Sequence, residues 1–168
     1  MSISMYQNSI PFLVRSLQNL AGVLEKGASY SNEKGFDEKV MTGYRLFPNM
    51  FPLTRQVQIA CDMAKGAGAR LAGVDVPSFP DEEVTFDELQ ARIAGTIEFL
   101  QTLKPEQFDG SETRQITIKA GDREFSFQGL EYLHGWVIPN LYFHATTTYN
   151  ILRHVGVEVG KGDFLGAS

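Results

Sequence analysis

Four stretches of this chain place apolar residues at three- and four-residue steps, each bounded by residues that start or stop a helix. That spacing gathers the apolar side chains onto one face, and four such faces leave water by packing on one another. The first stretch runs from Ser4 to about Lys26 through Met5, Ile10, Phe12, Leu13, Leu17, Leu20, Val23 and Leu24. Pro11 falls in its first turns, and Gly27 predicts its C-terminal stop. The second opens at Pro52 and reaches Leu71 or Ala72, with Gly73 as the stop. Ala60, Ala64, Gly66, Ala67, Gly68 and Ala69 make this helix thin, so neighbours can approach it closely. The third begins with Thr85-Phe86-Asp87-Glu88, a capping box, and continues through Leu89, Ile93, Ile97, Leu100 and Leu103 to Pro105. The fourth spans Gly129 to Gly156 and is interrupted or curved by Pro139.

One segment breaks the period. Gln115-Ile116-Thr117-Ile118-Lys119 alternates polar and apolar, Ala120-Gly121-Asp122 turns, and Glu124-Phe125-Ser126-Phe127 alternates again. This predicts a β-hairpin that docks through Ile116, Ile118, Phe125 and Phe127, because an isolated hairpin is marginal in water. Residues 29 to 35 read as polar loop, and Phe36 to Val40 as a short helical turn. Tyr44, Leu46, Phe47, Met50 and Phe51 then form an aromatic-rich connection, too apolar to stand in solvent, that packs over one end of the helices or walls a pocket. After Gly156 an extended tail is expected, docked by Phe164 and Leu165. The expected fold is all-α: an antiparallel four-helix bundle with a hairpin inserted between helices three and four, in one domain covering residues 1–168.

Charge narrows the partners. The formal net charge is −5, and the basic residues are scattered, so no field exists to attract nucleic acid or an anionic membrane. No apolar run approaches the ~20 residues of a membrane span, and Met1 to Met5 lack the pattern of a signal peptide. Cys61 is the single cysteine, which excludes an intrachain disulfide; it reads as a buried, inert thiol. A soluble cytoplasmic protein is expected. No serine or cysteine sits in a nucleophile elbow, and no catalytic residue can be assigned. Asp81, Glu82 and Glu83 read as a solvated acidic face.

The three histidines, His134, His144 and His154, lie ten residues apart in the fourth stretch. In one helix, neighbours among them stand about 15 Å apart and are turned by roughly 80°. They cannot share a metal ion. His134 reads as a part-buried histidine with a partner, and His154 as a surface residue at the helix end. His144 falls between Leu141 and Thr148 on the inward stripe, one turn from Asn140 and close to Thr147. These residues, with Gln58 from helix two, outline a small polar pocket. With Asp62, one turn from Gln58, they outline an oxygen-rich metal set of His144, Asn140 and Asp62. Such a set would suit a harder divalent ion better than a tight zinc centre, with nickel, zinc or manganese the ions considered. The competing account is a structural hydrogen-bond network around His144.

Two segments carry a resemblance: Phe51-Pro52-Leu53-Thr54-Arg55-Gln56-Val57-Gln58-Ile59-Ala60 and Tyr142 to Val157. Through them the chain resembles a bacterial and fungal family of unknown function, similar in turn to the DinB/YfiT-like four-helix bundles, which are candidate metalloenzymes. There the last helix carries two histidines four residues apart before a Leu-Arg-x-x-Gly-Val ending, and a third histidine lies on helix two. Setting Leu152-Arg153-His154-Val155-Gly156-Val157 on that ending places His144 at the second ligand position and Asn140 at the first. Residues 52 to 73 contain no histidine. The resemblance therefore implies the bundle and a pocket at His144, with a degenerate or weak metal or small-molecule site. The alternative is a non-enzymatic helical module for homodimerisation or partner binding, and a homodimer is expected on either reading.

Overall fold

The structure, a computed structural model, describes residues 3–167 and is mostly helical, with one two-stranded hairpin. Helix α1 (Met5–Lys34) starts where Ser4 and Gln7 exchange side-chain and backbone hydrogen bonds. It runs past Gly27, the expected stop, and through the stretch expected to be loop. It ends at Gly35, whose φ of 67° is left-handed. Gly27 is a contact point, not a cap. A Cβ there would stand 2.9 Å from Leu152 Cδ2 and 3.1 Å from Phe86 Cε1, so its missing side chain lets α1 pass both neighbours. Ser31 in the polar stretch is buried, and its Oγ donates to the Phe36 carbonyl.

A short α2 (Glu38–Thr42) leads into the aromatic connection and then α3 (Leu53–Ala72). Met41 and Thr42 are buried, and Thr42 ties the connection to the Val84 carbonyl at 2.8 Å. Phe47 and Phe51 nevertheless remain more than half exposed, so this segment covers less than its composition predicts. Helix α3 is thin as expected: Ala60, Ala64 and Ala67 have no exposed surface, and a Cβ on Gly68 would meet Leu100 Cδ2 at 2.5 Å. The Thr85–Glu88 capping box opens α4 (Phe86–Thr102).

Strands β1 (Gln115–Ala120) and β2 (Arg123–Gln128) pair antiparallel, with Ile116 opposite Phe127 and Ile118 opposite Phe125. Both isoleucines are buried, and the two phenylalanines rest on Trp136 with ring centroids 5.0 and 5.8 Å away. The fourth helical stretch is compound: α5 (Gly129–Glu131), a π-helical segment from Tyr132 to Val137, and α6 (Ile138–His154). Pro139 has no N–H to donate, and the helix widens just before it. The tail is not extended throughout. It forms α7 (Lys161–Leu165), where Asp163 accepts the Gly160 N–H and pairs with Lys26. Phe164 docks on Tyr149 and Tyr142, while Leu165 stays largely exposed.

The long helices α1, α3, α4 and α6 enclose one hydrophobic cluster, and α3 makes its most extensive contact with α6. That contact holds His144. Among the described residues, no helix is long and apolar enough to cross a membrane.

Candidate functional site

His144 is 7% exposed and faces α3, where Gln56 meets it. Gln56 Nε2 donates to the Phe51 carbonyl at 3.0 Å, and that oxygen can only accept. The Gln56 oxygen must therefore face the imidazole, so His144 Nδ1–H donates to Gln56 Oε1 at 2.7 Å. One local bond thus fixes the tautomer and leaves the lone pair on Nε2. Among the described residues Nε2 makes no hydrogen bond, yet it is not one of the sealed, unpartnered polar atoms, which are Arg92 Nε and Ser111 Oγ. It keeps contact with solvent. Burial, followed by the charge of Arg55, holds the imidazole below its ordinary value, so the neutral ring is favoured. Phe143, a residue 60% exposed, packs edge-on against the ring at 5.2 Å.

The other residues of the expected pocket are turned elsewhere. Asn140 spends its amide on its own helix, donating to the Trp136 carbonyl at 2.7 Å beside the π segment. Thr147 is buried, but its hydroxyl donates to the Phe143 carbonyl. Gln58 lies between Arg55 Nη1 and Glu83, 3.1 and 2.8 Å away. Asp62 Oδ1 binds Arg92 Nη2 at 3.0 Å and Lys65 Nζ at 3.2 Å. The pocket of Asn140, His144, Thr147 and Gln58 and the metal set of His144, Asn140 and Asp62 are thus not brought together. Gln56 and Gln58 are turned about 200° apart around the α3 axis. Gln56 faces α6, and Gln58 and Asp62 face the network around α4.

The three histidines are separated as their spacing requires. His134 meets Asn8 of α1 at 3.0 Å and is exposed, not part-buried as expected. His154 is also exposed and lies against the Tyr44 ring. No three histidine, cysteine or carboxylate side chains form a metal-holding group among the described residues. A three-histidine centre does not fit this donor set, in which His144 offers one imidazole nitrogen while His134 meets Asn8 and His154 meets Tyr44.

A second constellation, unforeseen from sequence, centres on Arg92, whose side chain is 1% exposed. Its guanidinium reaches Glu83 at 2.8 Å, Asp81 at 2.9 Å, Asp62 at 3.0 Å and the Pro80 carbonyl at 3.0 Å. Arg55 also pairs with Asp81. Burial pushes the Glu83 carboxyl up, but hydrogen bonds from Arg92 and Gln58 outweigh it and hold the group below the usual carboxylate range. Asp81 and Glu83 are therefore clamps for the loop before α4, not merely a solvated face. The signal was the position of Arg92 among Leu89, Ile93 and Thr96 on the buried stripe. Cys61 beneath is fully buried, which pushes its thiol up to about 12 and leaves it inert.

The chain is similar to a crystal structure of a DinB family member protein from Shewanella denitrificans, at 40% identity and a TM-score of 0.90. The match covers 98% of this chain and 93% of that one. No curated protein matches the chain. Residues 5–165 match the family described as Domain of unknown function (DUF1993), and the chain belongs to that family.

Proposed function

We propose that this protein is a binding module of the DinB-like fold, an antiparallel four-helix bundle, that presents one neutral imidazole nitrogen at a small polar site. The observation that carries this reading is the Phe51–Gln56–His144 relay, which commits Nδ1–H and leaves Nε2 as an acceptor in contact with solvent. A small molecule that donates a hydrogen bond is the ligand class this nitrogen suits. The same lone pair is the donor the site offers to nickel, zinc or manganese. A single histidine makes such an ion weakly held, because tight sites use three or four protein ligands. Tag-free protein dialysed against each ion should retain well under one equivalent, and His144→Ala should abolish whatever binds. An equivalent of metal that survives dialysis against a chelator would contradict the reading.

Homodimerisation is the second reading. Phe47, Phe51 and Phe143 are each more than half exposed, and Phe143 adjoins His144. Exposed aromatic surface of this kind favours a two-fold contact. Light scattering at tens of micromolar should give twice the 18.7 kDa chain mass; a monomer would overturn it.

A further inference from the structure

On the opposite side of α6 from the Gln56 contact, α1, α6 and α7 enclose a cavity of about 460 Å³. That is within the range of small-ligand pockets. Phe12, Leu20, Tyr142 and Phe164 supply an apolar, largely aromatic wall, with Phe12 edge-on to Tyr142 at 5.7 Å and Tyr142 beside Phe164 at 6.4 Å. Arg15, Ser16 and Asn19 supply the polar side, and Arg15 and Asn19 stand one helical turn apart. Among the described residues, the side chains of these three make no hydrogen bond or ion pair with the protein. Among the described residues, Arg15 is the one charged residue of the lining.

The guanidinium of Arg15 is free to meet an anion. Here it sits beside a hydroxyl and an amide, both able to donate, at the mouth of an aromatic cavity. We propose that this cavity binds a small monocarboxylate with an apolar body, preferably aromatic. The guanidinium forks onto the carboxylate, Ser16 and Asn19 supply further donors, and the rings of Phe12, Tyr142 and Phe164 enclose the apolar part. A single cation in a mainly apolar lining suits one negative charge better than a phosphate dianion, which calls for several cations or a cluster of backbone N–H groups. The site is independent of the His144 reading, since Tyr142 and Ala145 face α1 while His144 faces α3.

The test is a nitrogen-15 NMR titration of the full chain with 2-naphthoate, octanoate and the neutral analogue 2-naphthalenemethanol. The naphthoate should give saturable shifts in residues 12–20, 142–145 and 161–167, with at least fivefold tighter binding than the alcohol. Arg15→Gln, a change at an exposed position, should keep the parent's amide spectrum outside the cavity, weaken naphthoate at least fivefold and leave the alcohol unchanged. Three results would overturn the proposal: neither carboxylate saturating, shifts confined to residues outside the cavity, or equal naphthoate affinity in the Arg15→Gln variant.

Discussion

At the scale of single residues, Gln56 bears most on the site, because both ends of its amide are committed. Its oxygen accepts from His144 and its nitrogen donates to the Phe51 carbonyl. Gln56→Leu keeps the bulk but strands both partners, and an unsatisfied buried polar group costs about 1–3 kcal/mol. The variant should lose about 2 kcal/mol in urea unfolding; a loss below about 0.5 kcal/mol would show that the relay contributes little. His144 has its own pH signature. Its folded imidazole holds a proton less tightly than the unfolded chain does, so the unfolded state binds more protons once the pH falls below about 6.5. The stability due to the neutral ring is therefore complete above that value and drains away as the pH falls toward the lower, folded value. His144→Gln should flatten the pH dependence of unfolding as the pH falls below about 6.5. Equal slopes in variant and parent would contradict the burial argument.

At the scale of elements, two glycines of α1 make opposite predictions. Gly22 is exposed and has nothing near where a Cβ would stand, so Gly22→Ala should stabilise by up to about 1 kcal/mol through helix propensity alone. Gly27→Val presses branched bulk onto Leu152 and Phe86, and overpacking of about 1–3 kcal/mol outweighs any propensity gain. Thermal melts should move in opposite directions for the two variants. If Gly27→Val is neutral, the close crossing of α1 is not a constraint. The same pair shows where sequence reading succeeds. The Thr85–Glu88 box and the 115–127 hairpin were legible because their signals are local. Gly27 misled because its role depends on Leu152, far along the chain, and nothing nearby separates a contact glycine from a cap. The inward position of His144 was legible from its place between Leu141 and Thr148. Its partner was not, because choosing Gln56 over Gln58 requires the rotation of α3 against α6.

At the scale of the whole molecule, the Arg92 network joins α3, α4 and the loop between them. Removing the guanidinium leaves Glu83 without its counter-charge, while Asp62 keeps Lys65 and Asp81 keeps Arg55, and stranding largely shielded acceptors in this way costs about 1–3 kcal/mol. Arg92→Met should lose about that much in urea unfolding and expose Cys61 to thiol reagents that leave the native parent untouched; unchanged stability and an unreactive thiol would show the clamp to be dispensable. The acidic residues read as solvated along the sequence because their partner lies on another element. At the contact of α3 and α6 the fold holds one neutral, tautomer-fixed imidazole. A long-range proton–nitrogen correlation spectrum of the imidazoles at pH 7 tests it most directly. His144 should show a protonated Nδ1 and a bare Nε2 in one tautomer, and Gln56→Leu should release that preference. A His144 ring protonated on Nε2, or an imidazolium at that pH, would contradict the account.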